Sequence, residues 1–323
     1  MTPSRHAELP PEKADAMRRA VRLQWISLAY MTSAVIVVGL TLGQSQAMKA
    51  AWAEDILSLL PPIAFLVAAR LRHRPPDERH PWGWHRITSI AFLAAALALL
   101  VFGLFVLGDS LMKLATAERP AVGVMQLFGH EIWSGWLMLG ALAYSGLPPV
   151  LLGRVKRKLA AELHDKVLYA DAEMNRADWM TASAAAVGVL GIGFGLWFAD
   201  AVAGALIALD VTRDGWRTVR AAGNELMDAR PTTYDLARPH PATARAEELL
   251  RGLPWVQDVD VRLREEGHVF AGEARVVPVD DADLTARVND AAERLLRSEW
   301  KLHDVLVVPM TAEGLRRRRD ELA

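Results

Sequence analysis

Six apolar stretches punctuate the chain, at Leu23–Gly43, Ala50–Ala69, Ile87–Met112, Ile132–Gly153, Val167–Gly191 and Phe194–Val211. Each is near the ~20 residues that a helix needs to cross the hydrocarbon of a bilayer. The last two meet at "GIGFGLW" and predict a tight helical hairpin. Past Val211 the pattern "RDGWRTVRAAGNELMDARP" predicts that the sixth helix continues beyond the apolar zone and stops near Pro231. From there the periodicity changes. "ATARAEELLRGL" predicts a helix, "WVQDVDVRL" a strand by alternation, "HVFAGEARVVPV" a second strand, "DADLTARVNDAAERLL" a helix and "HDVLVVPM" a third strand. The order αββαβ over so short a length predicts a small two-layer α/β domain.

Basic residues sort the connections. Arg5, Lys13, Arg18, Arg19 and Arg22 precede the first span. Arg70, Arg72, Arg74, Arg79 and Arg86 follow the second, and Arg154, Lys156, Arg157, Lys158 and Lys166 follow the fourth. The first connection holds only Lys49, the third only Lys113 and Arg119, and the fifth none. By the positive-inside rule this alternation predicts six spans with both termini in the cytoplasm. The expected divisions are a cytoplasmic arm at 1–22, a membrane domain at 23–230, an α/β domain at 231–312 and a basic tail at 313–323. Arg316–Arg319 in that tail are expected to be solvated, with at most a weak attraction to anionic lipid.

Composition sharpens this in two ways. Of 323 residues 52% are hydrophobic and 23% charged, a mixture that suits apolar spans joined to a polar module. The net charge of −1 gives no case for nucleic-acid binding, and the absence of cysteine removes thiolate chemistry and thiolate metal sites. The polar first 22 residues contain no apolar core of a cleavable signal peptide.

The candidate chemistry lies in the spans, where an unpaired ionisable group costs several kcal/mol. In "YADAEMNRADWM", Asp171, Met174, Asn175 and Asp178 share one helix face, while Glu173 and Arg176 lie on others. The bland alternative is a polar seam neutralised by Arg176. The second span offers Glu54, Asp55 and Ser58, followed by Pro61 and Pro62, which loosen the helix around Leu57 and Ser58 and free a carbonyl as ligand or hinge. At ~1.5 Å per residue Glu54 lies roughly 24 Å, and Ser58 and Asp178 roughly 18 Å, from the cytoplasmic edge. Carboxylates from two spans at one depth repel unless a cation or proton compensates them. Other acids fit blander roles: Asp210 at the end of the sixth span facing water or Arg213, Asp109 at an interface, and His164 with Asp165 at a helix start.

At these residues the chain resembles the cation diffusion facilitator family. The resemblance rests on "RHRPPDERHPWGWHR", "YADAEMNRADW" and "FADAVAGALIAL" followed by the αββαβ domain, and runs from about Gln24 to Pro309. It implies a membrane α-helical fold of six transmembrane helices followed by a cytoplasmic ferredoxin-like αββαβ domain. It further implies a homodimeric metal/proton antiporter that removes divalent cations from the cytoplasm, here across a bacterial inner membrane, and no enzymatic activity. The family's paired H/D-x-x-x-D positions fall on Glu54 and Ser58, and on Met174 and Asp178. Asp55, Asp171 and Asn175 stand ready to supplement them. An oxygen-rich set favours Mn²⁺ or Fe²⁺, with Zn²⁺ or Co²⁺ next. Asp77 and His80 match an accessory metal position, against which stands a plain solvated loop. His240, His268 and His303 are too scattered to suggest a cluster, so the α/β domain is expected to serve as a dimer contact. Two rivals remain: a non-transporting sensor or scaffold whose site has decayed at Ser58 and Met174, and a membrane-embedded hydrolase, for which no nucleophile–base pair or recognised motif is present.

Overall fold

The structure is a computed structural model that describes residues 10–41, 52, 55–72, 74–117, 124–127, 130–193 and 199–320. It divides into two compact units, one made of Asp15–Leu71 and Ile90–Gly223, the other of Met1–Ala14, Arg72–Ser89 and Asn224–Ala323.

The first unit is helical. Its long elements are α1 (Pro11–Thr41), α3 (Ile87–Ala115), α4 (Ser134–Leu163), α5 (Lys166–Gly193) and α6 (Ala199–Leu226), with the shorter α2 at Leu60–Leu71. Helices of 28 residues or more span roughly 42 Å, longer than a bilayer's apolar core. Among the described residues two of them, Pro11–Leu40 and Ile87–Ala115, are apolar enough to cross a membrane on composition alone. The other three carry charges that their packing places, as described below.

Large apolar side chains face outward as well as inward. On α1 the buried face is Ala16, Ala20, Gln24, Ser27, Met31, Ala34 and Val38, a heptad-like spacing of small and polar side chains. The large apolar groups Trp25, Ile26, Ile36 and Leu40 face outward. Likewise α3 buries Phe92, Ala95, Leu99, Phe102 and Val106 yet exposes Ile90, Leu97, Val101, Leu104 and Leu111. Apolar matter on every side is the pattern of a helix in lipid.

Small residues set the closest helix approach. A Cβ at Gly103 of α3 would lie 2.7 Å from the Thr212 amide, and one at Gly215 of α6 would lie 2.7 Å from Leu100 Cα. The two glycines therefore lock one crossing from both sides. Around it Leu99, Phe102, Val106, Met174, Ala177, Ala208 and Val211 form a shared apolar cluster of α3, α5 and α6.

Two proline pairs shape the bundle. Residues 55–57 are helical, the helix breaks at Ser58 and Leu59, and α2 resumes with Pro61 and Pro62 in its first turn. The missing proline amides are those that would bond the Leu57 and Ser58 carbonyls, so the break falls where the sequence predicts it. Inside α4, Pro148 and Pro149 in the same way release the carbonyls of Tyr144 and Ser145. There α1 supplies the donor: Tyr30 Oη lies 2.7 Å from the Tyr144 oxygen and 2.9 Å from the Ser145 oxygen. Between α4 and α5 the chain turns at His164, in the left-handed region at φ 51°, and Asp165 caps α5 by accepting the Leu168 amide at 3.0 Å. That is the helix-start role expected of this pair.

The third connection contains a feature the hydrophobic pattern does not announce. Strands β1 (Val124–Leu127) and β2 (His130–Trp133) pair antiparallel ahead of α4.

In the second unit α7 (Ala242–Arg251), β3 (Val256–Glu266), β4 (Val269–Pro278), α8 (Leu284–Ser298) and β5 (Leu302–Pro309) follow the predicted order, and α9 (Ala312–Asp320) ends the chain's described part. The sheet runs β3-β4-β5, antiparallel then parallel, so α8 is the crossover between neighbouring parallel strands. Val259, Val261 and Leu263 point into the core while Asp260, Arg262 and Arg264 alternate outward. Phe270, Val276, Leu250, Ala291 and Leu295 complete that core. Gly267, at φ 66°, opens the two-residue β3–β4 turn. The basic tail is not wholly solvated. Leu315 is buried, and Arg319 grips Asp258 through Nη1–Oδ2 at 2.7 Å and Nη2–Oδ1 at 3.0 Å, leaving Arg316 and Arg318 exposed.

Candidate functional site

The helix break in front of α2 exists because of Pro61 and Pro62, and it presents Ser58 to α5. Ser58 Oγ, buried, donates to Asp178 Oδ1 at 2.8 Å. Asp55, one turn earlier, is half-buried. So three of the residues singled out in the sequence, Asp55, Ser58 and Asp178, gather from two separate segments. Glu54 lies outside the described residues. Among the described residues no three His, Asp or Glu side chains converge closely enough to cage an ion.

The rest of the α5 face is used differently. Met174 is fully buried in the apolar cluster with Phe102 and Val211. Asp171, two turns before Asp178, is also fully buried. Lys156 Nζ of α4 approaches its Oδ2 at 2.8 Å, and Gln24 Nε2 of α1 donates to the same oxygen at 2.6 Å. Lys156 comes in off the hydrogen-bond axis, so its contribution is Coulombic. Asn175 Nδ2 bonds back to the Asp171 carbonyl at 3.2 Å. This cluster ties α1, α4 and α5 together.

Off that face Arg176 collects acids from two helices. Its Nε donates to Glu173 at 2.8 Å, Nη1 to Asp210 at 3.3 Å and Nη2 to Asp214 at 2.5 Å, while Arg157 also pairs with Glu173. Asp210 thus meets Arg176 rather than Arg213, and the ion pairs of Arg176 reach across to α6. Asp109 pairs with Lys113 on α3.

In the 72–89 connection Asp77 Oδ1 accepts the amides of Arg79 at 2.9 Å and His80 at 2.6 Å and sits 3.0 Å from His80 Nδ1. Partial desolvation opposes ionisation of Asp77, but these bonds outweigh it and hold its pKa below the ordinary carboxylate value. The His80 ring stacks on Trp84 at 3.9 Å. A self-contained turn accounts for every one of these contacts. Sequence reasoning missed one cluster: His85 has His303 at 4.8 Å and His268 at 5.5 Å between ring centres, whereas His240 packs edge-on against Phe270. Three distant segments meet there, so spacing along the chain carried no signal.

A comparison with protein families assigns this helical region: residues 23–227 match the cation efflux transmembrane domain. The chain belongs to the cation efflux, or cation diffusion facilitator, family. Similar proteins include the manganese efflux system protein MneS of Bacillus subtilis, 24% identical over 256 residues, which are 78% of this chain and 81% of that protein. The zinc transporter ZitB of Escherichia coli is 27% identical over 277 residues, 84% of this chain and 81% of that one. The manganese efflux system protein MneP of Bacillus subtilis is 23% identical over 298 residues, 90% and 93% respectively. The cation efflux family is one of integral membrane transporters, not of enzymes. Its cation efflux transmembrane domain is followed by a mixed α/β region with a three-stranded sheet.

Proposed function

We propose that this cation efflux protein exports a divalent metal ion from the cytoplasm in exchange for protons, and that Asp178 is the central ligand. The observation that carries the reading is the Ser58–Asp178 contact, which joins the broken second span to α5 with Asp55 alongside. Facing inward, Asp178, Asp55 and Glu54 release protons and take up the ion, with Ser58 Oγ as a neutral oxygen donor. The helices then rock, the site opens outward, and protons displace the ion. Asp171 and Asn175 support the site from one to two turns away by fixing α5 against α1 and α4, and Met174 fills the core beside it.

An oxygen-only set suits Mn²⁺ or Fe²⁺ ahead of Zn²⁺ or Co²⁺. The names of MneS and MneP point to manganese and that of ZitB to zinc, so both metals belong in any substrate panel. Asp77 and His80 act in this reading as a loop turn rather than an accessory metal site. The protein sits in a bacterial inner membrane with six spans and cytoplasmic termini, as the sorting of Lys and Arg supports. It works as a homodimer whose ferredoxin-like αββαβ domain is a dimer contact.

A second reading, a sensor or scaffold with a decayed site, draws on the absence of a three-carboxylate or histidine cage among the described residues. Calorimetric titration of the detergent-solubilised protein with Mn²⁺ and Zn²⁺ separates the two. Export predicts that Asp178→Asn and Asp55→Asn each weaken binding at least tenfold. Binding that is undetectable, or indifferent to both changes, favours the decayed site.

A further inference from the structure

One face of α6 is exposed from Val202 to Arg220 and changes chemistry within a single turn. Val202, Leu206 and Leu209 are 41%, 67% and 60% exposed, and the same stripe continues through Arg213, Trp216, Arg217 and Arg220. The spacing of three and four residues keeps all seven on one side of the helix. The opposite stripe, Ala208, Val211, Gly215, Thr218 and Ala222, is the one packed inward. Arg213, Arg217 and Arg220 line a cleft of ≈ 450 Å³ with Trp216 and the acids Asp210 and Asp214. Arg176 of α5 pairs with both acids, and the three arginines of the cleft outnumber its two acids. Among the described residues Arg213 and Arg220 make no ion pair.

The geometry points to a headgroup site for an anionic glycerophospholipid of the cytoplasmic leaflet. Its phosphodiester is held by Arg213, Arg217 and Arg220, and its acyl chains lie along Leu209, Leu206 and Val202. Guanidinium groups pair with phosphate oxygens two at a time, and tryptophan favours the depth where headgroup meets chain. The aliphatic half of the stripe selects a lipid over a free phosphate, which has nothing to place there. Because Asp210 and Asp214 are shared with Arg176 on the helix that carries Asp178, an occupied cleft stiffens the α5–α6 contact beside the transport site. This inference rests on reading α6 as a membrane-crossing helix.

Native mass spectrometry of the full-length protein in detergent, titrated with phosphatidylglycerol and with phosphatidylcholine, tests it. The wild type is expected to bind phosphatidylglycerol at least about tenfold more tightly, in keeping with several arginines at an anionic surface. Arg213→Gln/Arg217→Gln/Arg220→Gln brings the two lipids within about twofold. Arg213→Gln/Arg220→Gln, which breaks no ion pair among the described residues, lies between. Equal binding in the wild type, an unchanged preference in the triple variant, or a preference lost instead in Arg316→Gln/Arg318→Gln would each overturn the site while leaving α6 in the membrane. Retention of neither lipid would overturn the membrane reading itself.

Discussion

Tyr30 makes the sharpest prediction about how the bundle tolerates its prolines. Pro148 and Pro149 withhold two amides from the middle of α4, and the Tyr30 hydroxyl of α1 stands 2.7 Å and 2.9 Å from the two carbonyls so released. In a medium without water a carbonyl left unbonded costs about 1–3 kcal/mol, whereas a bond to a restored amide removes that cost. Tyr30→Phe keeps the ring and deletes only the donor, so it should destabilise the protein by about 1–3 kcal/mol. In a Pro148→Ala/Pro149→Ala background the alanine amides reclaim both carbonyls. There the same change should cost no more than about 0.5 kcal/mol, a coupling of about 0.5 kcal/mol or more by a cycle that isolates the pair. Equilibrium unfolding in detergent, followed by tryptophan fluorescence, measures both numbers. An equal cost in both backgrounds would refute the capping account and leave Tyr30 as a packing residue against Tyr144, whose ring lies 5.7 Å away.

Three further outcomes are expected. Lys156→Met strands the fully buried Asp171 and should cost about 3–5 kcal/mol, while Lys156→Met/Asp171→Leu should recover most of it; the same unfolding assay decides, and a harmless single variant would contradict the pairing. Gly215→Val drives a side chain into the Leu100 backbone and should cost 1–3 kcal/mol or more, against little effect at Gly108, where a Cβ meets nothing within 4 Å. The Arg319 hydrogen bond holds the Asp258 pKa below its ordinary value. The pair therefore stabilises fully above the unfolded carboxylate pKa of about 4 and loses its effect as pH falls through the lower folded value. Being largely exposed it is worth about 0.5 kcal/mol. Hydrogen exchange should show α9 better protected at pH 7 than at pH 3, with Arg319→Ala erasing the difference.

Much of this was legible from residue pattern alone. Helices α7 and α8 and the three strands of the C-terminal unit follow the switch between periods of 3.6 and 2, whereas α9 lies in the basic run that reads as a solvated tail. The break at Ser58 is written in Pro61–Pro62. Lys156 was not legible: it sits in the basic run "RVKRK" and counts as a cytoplasmic charge, yet Gly153, Lys156, Ala160 and Leu163 form one stripe, and that stripe packs on α5. Arg176 looked like the neutraliser of a polar seam on its own helix, but its length lets it reach Asp210 and Asp214, thirty-four and thirty-eight residues on. Pairings set by tertiary approach, such as Tyr30 with the α4 prolines or His85 with His268 and His303, leave no trace in local spacing.

The central claim is that Asp178 carries a metal ion outward against protons. Its most direct test is flux of Mn²⁺, Fe²⁺, Zn²⁺ and Co²⁺ into proteoliposomes under an imposed pH gradient, with Asp178→Ala reconstituted beside the wild type. The account predicts gradient-dependent flux of Mn²⁺ or Fe²⁺ above the others, abolished in the variant while its unfolding midpoint stays near that of the wild type. Full flux in a well-folded Asp178→Ala protein, or none from a folded wild type with any of the four ions, would contradict it.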